Sequence, residues 1–347
     1  MMDASVRVID LRSDTATVPD AIMRRHIATA EVGDDVFGED PTVIRLEALA
    51  AELTGKAKGL FVTSGTQGNL VALLTHCGRG DAALVGRESH IHYYEGGGLA
   101  VLGGIMPYAL DDRAGIPSPE EVEAQLLPAN VHYAPRRLLC LENTHNRCGG
   151  LAVPPARFQA VVSAARKGGL RLHLDGARLF NACVRWAVPP TAYTSGMDSV
   201  QLCLSKGLGA PVGSLLCGDA DFIDAARHWR KRLGGGLRQA GILAAAGLDA
   251  LTRNRARLAQ DHENAARLAD LLSAAGLRVE ETEWRTNMVF FAPAAGTVAT
   301  DELVRRCEAA GLRLLAMGPS RIRAVLHLDI RVADVDRAAQ VIIEGVL

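Results

Sequence analysis

Two apolar runs constrain the fold of this chain more than anything else in it. Leu170-Arg171-Leu172-His173-Leu174 ends in Asp175-Gly176-Ala177-Arg178, and Leu202-Cys203-Leu204 ends in Ser205-Lys206-Gly207-Leu208-Gly209. The interval between the two ends accommodates one crossover, which parallel strands require and a hairpin does not. Both runs therefore read as strands of a parallel sheet, with an aspartate and a lysine at their C-terminal ends. Ligands of open α/β sheets bind at that edge.

A lysine at a strand end could simply snorkel into water. Walled by glycines and desolvated, it instead loses its proton easily and becomes an amine nucleophile. The carboxylate opposite decides between these readings. Lysine and aspartate facing each other suit pyridoxal 5'-phosphate: the lysine forms a Schiff base, and the carboxylate keeps the pyridine nitrogen protonated so that the ring acts as an electron sink.

Other strand-like runs are Ala82 to Val85, Gly104 to Tyr108, Leu138 to Leu141 and Gly213 to Cys217, with helical segments such as Pro119 to Leu127 and Pro155 to Lys167 between them. This alternation predicts a mainly parallel sheet covered on both faces. Polar groups gather at the strand ends, at Ser89-His90 and Glu142-Asn143-Thr144-His145-Asn146. His145 stands in an all-polar stretch, which argues against a buried core histidine. Gly59-Leu60-Phe61-Val62-Thr63-Ser64-Gly65-Thr66-Gln67-Gly68 reads as strand, small-residue turn and helix start, where free backbone N–H groups and the helix dipole favour a phosphate. No lysine follows the glycines, so this is not a Walker loop.

Metal chemistry finds little support. The acidic loop Gly33 to Pro41 lacks ligand spacing and reads as solvated. His90-Ile91-His92, placed on a strand, lacks a third ligand. A helix from Thr42 presents Ile44, Leu46, Leu49 and Leu53 on one apolar face. A formal net charge of −1 with no basic run excludes nucleic acid and anionic membranes as partners, and no apolar run reaches a membrane span. Seven scattered cysteines without C-x-x-C, and an N-terminus Met1-Met2-Asp3-Ala4 without signal-peptide character, predict a cytoplasmic protein.

Beyond Asp219 the pattern turns helical. Arg230, Lys231, Arg232 and Arg238 crowd a break at Gly234-Gly235-Gly236, with a second helix from about Leu237, then a long amphipathic helix through Leu251, Leu258, Ala265 and Leu272. Strand-like Met288 to Phe291, Leu312 to Leu315 and Arg323 to Leu328 and helices from Thr300 and Val335 form a small α/β unit. Arg323 lies inside an apolar strand and needs an anionic partner. The expected organisation is an N-terminal arm (1–14), a large cofactor domain (15–250) and a small C-terminal domain (251–347).

Taken in order, these segments resemble the L-threonine aldolases, pyridoxal-phosphate enzymes of the aspartate-aminotransferase fold (fold type I). The resemblance rests on Leu11-Arg12-Ser13-Asp14-Thr15, Gly33 to Pro41, Ser64-Gly65-Thr66-Gln67, Ser89-His90-Ile91, Glu142 to Asn146, His173 to Arg178, Ser205-Lys206-Gly207-Leu208, Gly234 to Gly241 and His327-Leu328-Asp329. It implies an α/β architecture with an aspartate-aminotransferase-like large domain and a small C-terminal domain. It implies that Lys206 carries the cofactor, Asp175 pairs with the pyridine nitrogen, and Gly65, Thr66 and Gln67 cradle the phosphate. His90 would stack on the ring, and Ser13, Arg178 and Arg323 would bind the substrate carboxylate. Arg178 also counts among the cofactor-binding residues. His145 would lie near the β-hydroxyl, and Lys231 and Arg238 would reach the phosphate of a neighbouring subunit in an obligate homo-oligomer, a dimer of dimers. No metal is implied. Gly68 replaces the family's usual alanine, read as a harmless change, and His92-Tyr93-Tyr94-Glu95 is more polar than usual beside the cofactor.

The implied reaction is retro-aldol cleavage of L-β-hydroxy-α-amino acids to glycine and an aldehyde, with His90, His145 or a held water as base. A β-eliminating lyase on the same scaffold is the alternative.

Overall fold

The computed structural model describes residues 7–128 and 130–346. The stretch Met1 to Ala4, read above as lacking signal-peptide character, lies outside them.

A seven-stranded sheet forms the large half. Its spatial order is Lys58–Val62, Ser214–Gly218, Ser199–Cys203, Arg171–Gly176, Arg136–Glu142, Ala82–Gly86, Met106–Leu110. Six strands run parallel, and Ser214–Gly218 is antiparallel to both neighbours. That corrects one expectation: the chain re-enters the sheet straight after the Lys206 turn, without a crossover, so this strand must reverse. Asp175 pairs with Gln201 in the register of adjacent parallel strands, which places the Asp175 and Lys206 ends at one edge. The inner strands are buried along nearly their whole length, as covering on both faces requires.

The flanking helices follow local signals. Asp40 accepts from the Thr42 and Val43 amides and starts the helix Pro41–Thr54, which ends at left-handed Gly55. Its buried face runs through Val43, Leu46 and Ala50, whereas Ile44 points outward and is half-exposed. Asp20 caps Ala21–Ala28. His90–Tyr93 is a short helical turn and not a strand. The second helix after the glycine break starts at Gly241, later than Leu237. The long amphipathic segment is interrupted: a π-turn over Ala250–Asn254 and a 3₁₀ turn at Arg255–Arg257 precede the regular helix Leu258–Ala274.

The C-terminal part builds a four-stranded sheet in the order Leu315–Gly318, Arg321–Val325, Met288–Ala292, Arg278–Val279. The run Leu312 to Leu315 is split. Leu312–Arg313 pairs in parallel with Ile9–Asp10 of the N-terminal arm, and Leu315–Gly318 joins the sheet. One apolar cluster lies around the large sheet, and another joins Leu11, Leu268, Phe291, Ile322 and Val335.

Candidate active site

Asp175 ends its strand buried, 2 % exposed. Its Oδ1 accepts from the Ala177 amide at 3.0 Å, and its Oδ2 accepts from Asn69 Nδ2 at 2.8 Å. Asn69 lies one turn into the helix Gly65–His76, and its Oδ1 is 3.0 Å from His173 Nε2. His173 Nδ1 is 2.8 Å from Ser199 Oγ, which lies 2.7 Å from His76 Nε2. Burial pushes both imidazoles down, His173 to about 3 and His76 to about 4, so they are neutral and form a polarised chain of donors and acceptors behind Asp175.

The same helix presents its N-terminus at this edge. Ser64 accepts from the Gln67 amide as the cap, which leaves the Gly65 and Thr66 amides as unused donors. Gln67 serves the backbone: its Oε1 accepts from the Thr63 N–H and hydroxyl, and Nε2 reaches the Leu233 carbonyl at 3.5 Å. The glycine break thus packs on the anion-facing turn, since a Cβ at Gly235 would sit 2.5 Å from Gln67 Oε1.

Lys206 is half-buried in the turn after Ser199–Cys203, and Thr17 Oγ1 holds its carbonyl at 2.9 Å. The nearby carboxylate of Asp14 is committed elsewhere. It takes both prongs of Arg178, Nε at 2.7 Å and Nη2 at 2.6 Å. Burial would raise Asp14, but the guanidinium outweighs it and holds the carboxyl at about 2. Arg178, expected to clamp substrate, is therefore already forked by a carboxylate to which the sequence reading gave no role. Arg323 differs. It donates to Asn146 Oδ1 at 2.8 Å and to the Arg12 carbonyl at 2.9 Å, and among the described residues it has no carboxylate partner and its buried Nε is unpaired. Burial lowers it to about 10. Ser13 caps the 3₁₀ turn Asp14–Ala16, next to Arg12.

An apolar strand end with a lysine, a buried carboxylate aimed at the same edge, two idle helix N-terminal amides and an unpaired arginine together fit pyridoxal 5'-phosphate. The comparisons agree with this chemistry. The profile of the Beta-eliminating lyase family matches residues 10–294. The chain belongs to that family. It is 44% identical to a probable low-specificity L-threonine aldolase 2 of Arabidopsis thaliana, over 96% of this chain and 95% of the relative. It is 46% identical to the low specificity L-threonine aldolase of Escherichia coli K12, over 93% and 95%. Among solved structures, Leishmania major threonine aldolase superposes with a TM-score of 0.82 at 20% identity, covering 98% and 100%.

In this member of the family the two candidate histidines have different settings. Among the described residues His90 Nε2 has no hydrogen-bond partner, while Nδ1 is 2.8 Å from Glu95 Oε1 and the backbone amide donates to Glu142 Oε2 at 2.7 Å. His145 is enclosed, 1 % exposed. Its Nε2 is 2.7 Å from Asp112 Oδ2, a far shorter contact than the 3.4 Å approach of the Cys148 amide to Nδ1. The all-polar surroundings of His145 are thus an internal network and not an open subsite. Burial opposes its charge, but Glu142 and Asp112 raise its pKa well above the ordinary value. Lys231 and Arg238 are exposed, and Arg238 Nη1 lies 3.4 Å from Asp34 Oδ2. The buried member of the basic cluster is Arg230, bound to Asp35 at 2.7 Å and to the Phe61 carbonyl at 2.9 Å.

Asn69 and Asp112 were given no role from the sequence, and Asp14 and Glu95 stood only as members of their motifs. The usable signals were Asn69 four residues after Gly65 and Glu95 five after His90.

Proposed function

We propose that this chain cleaves L-threonine, L-allo-threonine and related L-β-hydroxy-α-amino acids such as phenylserine to glycine and an aldehyde, and runs the reverse reaction, with pyridoxal 5'-phosphate as cofactor. The observation that carries the reading is the placing of Lys206, Asp175 and the unpaired Arg323 around one sheet edge, in a chain so similar to named threonine aldolases.

When bound, the cofactor supplies an electron sink for the pair released as a bond to Cα breaks. Lys206 Nζ is the nucleophile that would hold it covalently. Asp175, backed by Asn69, would hold the proton on the ring nitrogen. The Gly65 and Thr66 amides, with Gln67 shaping the turn, receive the phosphate. Arg323 takes the substrate carboxylate with its unused Nε, and Ser13 lies beside it. Arg178 supports this clamp by fixing Asp14. Holding the carboxylate selects which Cα bond is broken. His90 Nε2 takes the β-hydroxyl proton, and His145 acts through the Asp112 network.

The arm, large domain and small domain divide at residues 14 and 250; two separate apolar clusters support a large and a small core, although Ile9 and Leu11 of the arm pack with the small one and Leu251 and Leu258 with the large one. The active form is a homo-oligomer, a dimer of dimers, with Lys231 and Arg238 offered to a neighbouring phosphate; their exposure beside the Gln67 turn supports this. The location is cytoplasmic, in keeping with seven free cysteines, six of them buried.

Incubating cofactor-loaded protein with both threonine isomers tests the reading. Acetaldehyde and glycine are expected. Accumulation of 2-oxobutanoate with little acetaldehyde would instead mark an eliminating lyase.

A further inference from the structure

Glu95 lies in the turn after His90–Tyr93 with a side chain only 5% exposed. Its Oε1 accepts two hydrogen bonds of 2.8 Å, from Asn69 Nδ2 and from His90 Nδ1. The other Nδ2 proton of Asn69 goes to Asp175 Oδ2, also at 2.8 Å. With both Nδ2 protons given to carboxylates, Oδ1 is left to accept from His173 Nε2, 3.0 Å away. Two carboxylates, Glu95 and Asp175, therefore meet on one oriented amide, with His90 on the far side of Glu95. A neutral glutamine at 95 would satisfy Asn69 equally well. Burying a carboxylate there is costly, and what the charge adds acts on His90.

We propose that Glu95 is a positioning residue for the cleavage: it holds the proton of His90 on Nδ1, leaves Nε2 to take the substrate's β-hydroxyl proton, and stabilises the imidazolium that results. Asn69 ties this unit to Asp175, so one amide sets both the carboxylate at the ring nitrogen and the base. The inference rests on the retro-aldol reading above. In the step, the hydroxyl proton moves to Nε2 as the C–O bond becomes a carbonyl and the Cα–Cβ pair stays on the glycine side. The same proton then returns to Cα.

The groups facing His90 come from several elements. Glu95 lies in its own turn, Asp175 at the strand Arg171–Gly176, Lys206 after Ser199–Cys203, Asn69 on the helix Gly65–His76, and Glu142 at its backbone amide. Burial and Lys206 oppose charge on the ring; Glu95 and Asp175 outweigh them and hold its pKa above the ordinary value.

The test uses holoenzyme as wild type, Glu95→Gln and Glu95→Leu. kcat and KM for L-threonine are followed against pH, and the ¹⁵N signals of the His90 ring are recorded, assigned by their loss in His90→Gln. In wild type the Nδ1 proton should dominate the neutral ring. Glu95→Gln keeps the Asn69 contact but removes the charge. It should lower kcat about tenfold, move the acidic limb of kcat down by about one pH unit and leave KM within about twofold. Glu95→Leu should lose the Nδ1 preference as well. A wild-type ring protonated on Nε2 overturns the proposal, as does an unmoved acidic limb in Glu95→Gln, whether kcat is unchanged or the loss falls only on KM or cofactor affinity. Wild-type production of 2-oxobutanoate would sink the retro-aldol reading and the role of Nε2 with it; that failure is recognisable because the His90 ring signals would still respond to Glu95→Gln.

Discussion

At the scale of single residues, charge without a partner separates chemistry from architecture. Arg178 and Arg230 are buried cations answered by Asp14 and Asp35, whereas Lys206 faces a carboxylate already taken by Arg178. Lys206→Ala should abolish turnover while leaving the fold intact, and borohydride reduction should no longer fix cofactor to the chain by mass spectrometry. Near wild-type turnover without added amine would sink the assignment. His145 gives a prediction of stability. Its folded pKa is raised, so the stabilisation from Asp112 is fully present below the unfolded value of about 6.5 and is lost as pH rises through the folded value. Asp112→Asn should therefore cost more stability in urea unfolding at mildly acidic than at alkaline pH, and a penalty that grows with pH would contradict the pairing. Lys206 and Asp175 were legible because each ends an apolar run. Asn69 and Asp14 were not, because their meaning lies in contacts 106 and 164 residues away, to Asp175 and Arg178.

At the scale of elements, sequence periodicity located the strands and most helices, and it failed where an element's surroundings decide its form. The strand after Lys206 reversed because the turn is too short for a crossover, and Ile44 faced out because its helix packs through Val43 and Leu46. The helix Gly65–His76 shows the same dependence. Gly68 was read as a harmless substitution, yet a Cβ there would lie 2.9 Å from Gln201 Cγ and 3.3 Å from Val62 Cγ2. Gln201 is fully buried on the strand Ser199–Cys203, so it has little room to yield. Gly68→Ala gains about 1 kcal/mol of helix propensity and meets about 1–3 kcal/mol of overpacking. We expect a net loss of about 1 kcal/mol, read by urea unfolding, with a parallel weakening of cofactor binding because this helix carries Gly65, Thr66 and Asn69. Gln201→Ser should relieve the clash in the double variant. If Gly68→Ala alone is stabilising, the helix is not seated as tightly as its contacts indicate.

At the scale of the whole molecule, the carboxylate end of the site is drawn from distant parts of the chain. Ser13 and Asp14 come from the arm region, Arg178 from the large sheet, Asn146 from the turn after another of its strands, and Arg323 from the small sheet. Arg323 bonds both to Asn146 and to the Arg12 carbonyl, so the large sheet, the arm and the small sheet meet at one guanidinium. Such a residue could be a structural clasp alone, but the clasp Arg230, whose Nε is likewise buried and unpaired, is answered by Asp35, whereas Arg323 has no carboxylate partner among the described residues. A substrate carboxylate would supply that counter-charge, and a charge-assisted contact of that kind is worth roughly 1.5–3 kcal/mol. Arg323→Leu should therefore raise KM for L-threonine about ten- to a hundredfold. The more telling effect concerns which bond is broken. Every amino acid bound through its amine at this site offers three bonds at Cα, and only the carboxylate clamp prefers Cα–Cβ over Cα–H. Loss of the Cα proton from threonine leads on to elimination and 2-oxobutanoate; loss of Cβ gives acetaldehyde and glycine. Loosening the clamp should thus raise the ratio of 2-oxobutanoate to acetaldehyde above that of the wild type, with Arg323→Lys intermediate because it keeps the charge and loses the fork. Assaying both products from the same incubation at saturating L-threonine separates this from weaker binding. A raised KM with an unchanged product ratio would show that Arg323 binds the carboxylate without directing the cleavage, and an unchanged KM with a large fall in stability would make it the clasp.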